Sequence, residues 1–194
     1  MQKKTTAIIL ASGSPRRREL LSMICHDFSV VVSDCEEIVS SAVPEEVTIE
    51  LSKQKAQAVA AGRACAVVIG ADTVVSIDGE ILGKPRDRED ACRMLRLLSG
   101  KTHQVSTGVT LIQTGPDADA KWESSFCETT LVHVAPLSER EIVSYLDTDE
   151  PYDKAGAYGI QGVFGKYISG IEGDYNNVVG LPVHRLYEEW KKIP

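Results

Sequence analysis

The sequence predicts an α/β protein, and three observations carry that prediction. Short apolar runs of strand length alternate with segments whose apolar residues recur at helical spacing. The first run passes through a tight turn of small residues into a helix start. A later pair of runs is joined by Asp78-Gly79, a strong hairpin signal.

The chain is organised around residues 8–21, which read I-I-L-A-S-G-S-P-R-R-R-E-L-L. Residues 7–11 are apolar and long enough for a buried strand. Ser12-Gly13-Ser14 breaks the run. Pro15 suits the first helical position, because its missing N–H would be unpaired there in any case. Ser14 is the expected N-cap of a helix from Pro15 to about Cys25, with Leu20, Leu21 and Ile24 on its apolar face. Such a helix start favours anions. Arg16, Arg17 and Arg18 in the first turn oppose the dipole unless something negative joins them. A polyphosphate would do so; solvent or an acidic neighbour such as Glu19 is the plainer alternative.

Residues 28–33, F-S-V-V-V-S, read as a strand ending in Asp34-Cys35-Glu36-Glu37. That acidic cluster is either a solvated turn or a place where a carboxylate enters a cleft. A helix follows over 44–62, with Val47, Leu51, Ala58 and Val59 at helical spacing. Lys55 lies four residues after Leu51, on the same face, while Lys53 points elsewhere. The Lys55 ammonium either snorkels to the edge or reaches a buried anion. Residues 66–71 should be a central strand, and Asp72 interrupts the apolar sequence before a second run to Ile77. A carboxylate there is costly unless paired or functional. It either caps a turn or serves as a catalytic or metal-ligating group. The return strand at 80–82 places Lys84 to share that site.

Asp87 is a good N-cap for a helix over 88–98 with core residues Ala91, Leu95 and Leu98, and Gly100 terminates it. Residues 102–114 and 122–134 read as paired long strands around a turn at 115–120. His103 and His133 read as structural and unrelated to each other, and His26 and His184 join no constellation. Ser138 and Glu141 form a capping box for a helix to about Leu146. Residues 149–162 read as a loop. In it Asp153 and Lys154 precede small residues that let backbone approach a ligand, and Gln161 sits near glycines with both amide edges available. A strand over 163–171, a turn at 174–177 and a packing helix from Pro182 through Trp190 complete the chain.

A chain of 194 residues supports a single domain, or two lobes sharing a sheet. Its net charge of −7 disfavours general nucleic-acid binding. The five cysteines are widely spaced and include no C-x-x-C pair, so zinc or a disulfide framework is not suggested. Reduced thiols in the cytoplasm fit best. Lys3 and Lys4 precede an apolar run too short for a signal peptide or a membrane span. Ser-His-Asp sets, Walker loops and dinucleotide fingerprints are missing. What recurs is an anion-binding helix end with lysines and carboxylates at strand ends. That combination suits a phosphate-ester or nucleotide hydrolase.

Taken together, the motifs resemble the Maf family of nucleoside triphosphate pyrophosphatases. The likeness runs from L-A-S-G-S-P-R-R-R-E-L-L through Glu36-Glu37, K-Q-K-A, G-A-D-T-V-V, G-K-P, L-S-G-K-T-H-Q-V, D-E-P-Y-D-K-A-G-A-Y-G-I-Q-G and G-D-Y-N-N-V-V-G-L-P, nearly the whole chain. The resemblance implies an elongated mixed sheet flanked by helices in two lobes with a central cleft, as in the inosine triphosphate pyrophosphatases. It implies hydrolysis of a nucleoside triphosphate to monophosphate and pyrophosphate with a divalent cation, Mg²⁺ or Mn²⁺. By similarity Asp72 is the proton acceptor, and Ser14 and Arg17 belong to the phosphate cradle. Glu37, Lys55 and Lys84 are the other charged residues of that site, with Asp72 and Glu37 as metal ligands. Arg16, Thr73 and Gln161 match the type that acts on dTTP and UTP. A nucleotide-binding regulator of septum formation is the alternative that the family name brings. No membrane or nucleic-acid partner is expected, and a homodimer stays open.

Overall fold

The computed structural model describes residues 6–194, so Lys3 and Lys4 lie outside the described residues. The α/β expectation holds. Seven strands and six α-helices are found among the described residues: β1 Ala7–Ala11, α1 Pro15–Leu21, β2 Ser29–Val30, α2 Pro44–Ala60, β3 Ala66–Ile77, β4 Glu80–Leu82, α3 Arg88–Leu98, β5 Thr102–Thr114, β6 Ala120–Val134, α4 Glu139–Leu146, β7 Ile168–Glu172, α5 Tyr175–Val179 and α6 Val183–Trp190. Hydrogen-bonded neighbours run β2-β1-β3-β5-β6-β7, and β4 pairs with β3. The sheet is mixed: β1 is parallel to β2 and β3, whereas β3–β4 and β6–β7 are antiparallel.

The chain forms two compact units. The first comprises the described residues up to Asp72 with Thr107–Glu128 and Gly180–Pro194; the second comprises Thr73–Ser106 and Thr129–Val179. In the first unit α2 packs Ala56, Val59 and Ala60 on Ile9, Ala11, Val68 and Ile112 of the strands. Glycines make that packing close. A Cβ at Gly70 would fall on the Ser52 carbonyl and the Ala56 backbone, and one at Gly108 on the Thr48 peptide. α6 buries Leu186 completely, as a packing helix should.

In the second unit α3 and α4 pack on each other. They share a core of Met94, Leu95, Leu98, Ile142, Tyr145 and Phe164 with β3 and β5 residues Val75, Ile77 and Val105. α3 has the expected bounds and N-cap: Asp90 N–H donates to the Asp87 carboxylate at 2.8 Å. The hairpin turns through Asp78 at φ 52° and Gly79 at φ 81°, both left-handed as this turn requires. The Ser138–Glu141 capping box is present with both of its reciprocal bonds.

Several boundaries differ for physical reasons. α1 stops at Leu21, after which Met23 and Ile24 donate to carbonyls three residues back in a tightened last turn. β2 keeps only two residues of the expected strand, because it is an edge whose neighbour β1 is itself short. Asp72 does not separate two strands: β3 runs through it without a break. Residues 163–167 coil into a 3₁₀ turn, so that Phe164 reaches the core, and β7 begins only at Ile168. The expected turn at 174–177 continues into the short helix α5. The 149–162 loop holds two 3₁₀ turns and buries Pro151, Gly156, Ala157 and Tyr158, so it is packed rather than purely connecting. No helix among the described residues is long and apolar enough to cross a membrane.

His103 is structural, as expected. It is 2% exposed, and its Nε2 meets the Tyr158 hydroxyl at 2.7 Å. Its Nδ1 has no hydrogen-bond partner among the described residues. Burial, with a smaller contribution from the charge of His133, lowers its pKa to about 4. Above its ordinary value of 6.5 the ring is neutral in both folded and unfolded chains. As the pH falls from 6.5 toward 4, the unfolded chain takes a proton that the folded chain refuses, so stability is lost across that window. The loss attributable to this group is about 3 kcal/mol. The double variant His103→Phe/Tyr158→Phe removes both polar partners together, which is nearly neutral when the shapes are kept. Its urea midpoint should therefore fall less between pH 6.5 and pH 4.5 than that of the parent.

Candidate active site

The site is built on α2. Ser52 and Ala56 sit against the bare backbone of Gly70, so the helix lies in contact with β3 at that point. Side chains alternate along a strand; Asp72, two residues beyond Gly70, projects from the same face. Lys55, between Ser52 and Ala56 in the helix, is carried to it. Its Nζ lies 2.5 Å from an Asp72 carboxylate oxygen. Of the two readings open for Lys55, the ammonium reaching an anion is the one observed. Lys53 turns outward to Glu123 at 2.7 Å.

Glu37 completes the group, 2.9 Å from the same Nζ. The Lys55 and Asp72 side chains are 17% and 15% exposed, and that of Glu37 is 51% exposed. Glu37 belongs to an irregular segment after β2 that is tied along the outer face of α2. Gln54 accepts from Ile38 N–H at 2.9 Å and donates to the Ile38 carbonyl at 2.6 Å. Glu50 accepts from the Ser40 N–H and hydroxyl, and Glu46 from the Ser41 hydroxyl. The Ser40 bonds hold the Glu50 carboxyl below its ordinary pKa. Gln54, Glu50 and Glu46 recur every four residues, so one helix face docks an extended segment. Gln54 carries no signal of this role in the sequence beyond its place beside Lys55.

Ser14 caps α1 as expected, accepting from Arg17 N–H at 3.4 Å. The Arg17 side chain folds back over the strand ends. Its Nε donates to the Gly180 carbonyl at 2.8 Å, and its Nη1 to the Ala71 carbonyl at 2.9 Å and to Ser12 Oγ at 3.3 Å. Burial lowers its pKa, the charge of Asp72 opposes that shift, and the neighbouring charge of Arg16 adds to it. Three cations and two carboxylates are thus gathered in the first unit: Arg16, Arg17, Lys55, Asp72 and Glu37. No group of three or more His, Cys, Asp or Glu residues placed to hold a metal ion is found among the described residues.

Thr73, Lys84 and Gln161 belong to the second unit. Thr73 follows Asp72 in β3 and is half-buried; Lys84 and Gln161 are exposed. The Gly83 carbonyl accepts from Gly156 N–H at 3.0 Å, which ties the segment carrying Lys84 to the loop that leads to Gln161.

Comparison with known proteins gives a consistent result. A sequence profile described as "Maf-like protein" matches residues 7–193. The dTTP/UTP pyrophosphatase of Agathobacter rectalis is 51% identical over 199 residues, covering 96% of this chain and 97% of that protein. The dTTP/UTP pyrophosphatases of Carboxydothermus hydrogenoformans and Bacillus velezensis are each 51% identical, over 185 and 190 residues. These matches cover 95% and 97% of this chain and 97% of each relative. Among solved structures, a HAM1 protein from Coxiella burnetii is similar with a TM-score of 0.58 at 13% identity, covering 97% of this chain and 100% of that one. The Ham1 protein of Staphylococcus aureus is similar with a TM-score of 0.53 at 16% identity, covering 95% and 98%. These structures share the fold.

The contact at Gly70 is testable. Gly70→Ala forces α2 off β3, and overpacking of this kind costs roughly 1–3 kcal/mol. Each kcal/mol lowers Tm by about 2–4 °C in a chain of this size. Gly83→Ala, where an added Cβ meets nothing within 4 Å, should leave the melting curve within about 0.5 kcal/mol of the parent. Differential scanning calorimetry of the two variants separates the cases.

Proposed function

The chain belongs to the Maf-like family, and from that premise we propose that it is a nucleoside triphosphate pyrophosphatase converting dTTP and UTP to the monophosphates and pyrophosphate. The relatives' names and their near-complete coverage support the substrate. The observation that carries the chemistry is the convergence of Asp72 and Glu37 on Lys55, 2.5 and 2.9 Å from its Nζ.

Asp72 accepts the proton of the water that attacks the α-phosphorus. A half-exposed Glu37 beside it helps to orient that water. Two adjacent carboxylates offer the hard oxygen donors that Mg²⁺ takes, with Mn²⁺ as the alternative. Asp72 and Glu37 would hold the cation, and when bound it supplies charge neutralisation and a more acidic water. Lys55 and Lys84 offset negative charge that grows on the phosphoryl oxygens. Arg16, Arg17 and the Ser14 hydroxyl hold the phosphate chain. Gln161, which carries one donor and one acceptor, reads the O4/N3–H edge of uracil or thymine, and Thr73 adds to that selection. Five unbridged cysteines support a reducing, cytoplasmic setting.

Asp72→Asn keeps the shape of the side chain and removes the base. Turnover of UTP should fall on the order of a hundredfold or more, with an unchanged circular dichroism spectrum, as read by release of UMP and pyrophosphate. A folded Asp72→Asn protein of normal activity refutes the assignment. Chelation of divalent cations should abolish turnover of the parent, and added Mg²⁺ should restore it.

A further inference from the structure

We infer that Glu150 is a positioning residue that sets the turn presenting Gln161, and so governs base preference; the inference rests on the reading of Gln161 as the base-contacting side chain. Glu150 follows α4 in the second unit and is half-buried. Its two carboxylate oxygens have different work. Oε1 accepts from the Tyr145 hydroxyl at 3.0 Å, and Oε2 accepts from Val163 N–H at 2.8 Å. Tyr145 is 2% exposed and its ring lies 5.0 Å from that of the fully buried Phe164, so the phenol is a fixed anchor. Burial, then the neighbouring charge of Glu150, raises its pKa, which keeps the hydroxyl a donor.

The turn is moulded on this carboxylate. Gly162 N–H donates to the Gly159 carbonyl at 3.2 Å, closing a turn whose central residues are Ile160 and Gln161. A Cβ on Gly162 would overlap the Glu150 carboxylate. One on Gly159 would meet the Lys154 side chain at 2.8 Å and Glu150 Oε1 at 3.4 Å. The Lys154 ammonium in turn donates to the Glu150 carbonyl at 2.8 Å. The Gly159–Gly162 turn is thus held from beneath by one side chain that is itself anchored in the core. Gln161 is exposed at its crest, and nothing else in the turn carries a side-chain amide. The two glycines of G-I-Q-G follow from this packing: Gly162 lies against the Glu150 carboxylate, and Gly159 against the Lys154 side chain whose ammonium holds the Glu150 carbonyl.

A residue needed only for folding would lower activity on every triphosphate alike, whereas one that aims Gln161 changes the ratio between bases. Four variants, Glu150→Ala, Glu150→Gln, Gln161→Ala and Glu150→Ala/Gln161→Ala, are assayed on UTP, dTTP, CTP and GTP with Mg²⁺. Glu150→Ala should lower kcat/KM on UTP and dTTP by about tenfold, chiefly through KM, and should shrink the UTP-to-GTP preference by a similar factor. Glu150→Gln should restore the preference, because the amide oxygen can accept from Val163 N–H while its NH₂ donates to the phenol oxygen. The double variant should be no less selective than Gln161→Ala alone, as coupled residues require. If Gln161→Ala shifts the preference and Glu150→Ala does not, the positioning role is overturned and the base reading survives. If Gln161→Ala leaves the preference unchanged, the base reading falls and this inference with it. Should Glu150→Ala not fold, Glu150→Asp, one methylene too short to touch both partners, takes its place with the same expected loss of preference.

Discussion

The candidate site depends on how closely α2 lies on the strands beneath it. At Gly70 and Gly108 the sheet offers backbone in place of side chains, and the helix settles on Ser52, Ala56 and Thr48. Any larger residue at those two strand positions would lift the helix. The reach of a lysine is limited, and Lys55 makes its 2.5 Å contact with Asp72 only from this depth. Small hydroxyls fill what space is left: Ser52 meets Thr110 at 2.9 Å, and Thr110 meets Ser125 at 2.9 Å. This part of the core is therefore polar, closely packed and satisfied, which favours a rigid helix position over maximal apolar burial.

Elements with local signals were legible in the sequence. The bounds of α3, the Asp78-Gly79 hairpin, the bounds of β5 and the capping box of α4 follow from caps, turns and periodicity within a few residues of one another. What the sequence did not show depends on distant partners. β3 passes through Asp72, between Gly70, the last residue paired with β1, and Val75, the first paired with β4. Neither neighbour is visible in the residues around Asp72. Phe164 pulls residues 163–167 out of an expected strand, because its ring is wanted among Tyr145, Tyr158 and Tyr167.

Arg17 shows the same limit at the site itself. Three arginines opposing a helix dipole call for a nearby anion on electrostatic grounds. The guanidinium spends Nε and Nη1 on the carbonyls of Gly180 and Ala71, one of them 163 residues away in the chain. Its bond to Ala71 grips the peptide immediately before Asp72. The charge of Arg17 therefore acts on the Asp72 carboxylate, and the sequence pattern names the residue without disclosing its partners.

The Asp72–Lys55 pair is better explained by chemistry than by stability. Drawing two charges out of water is costly, and a well-packed apolar pair of the same volume is often as stabilising or more so. The helix does not need the pair to stay in place, since Gly70, Gly108 and the cluster around Ala56 and Val59 already fix it. The pair is also lopsided. A second carboxylate, Glu37, shares the single ammonium from a half-exposed position, and with Arg16 and Arg17 the group holds three cations to two carboxylates. Such an excess of positive charge is unfavourable in an empty, purely structural cluster. It becomes favourable when negative charge is received there, as the proposed triphosphate would supply.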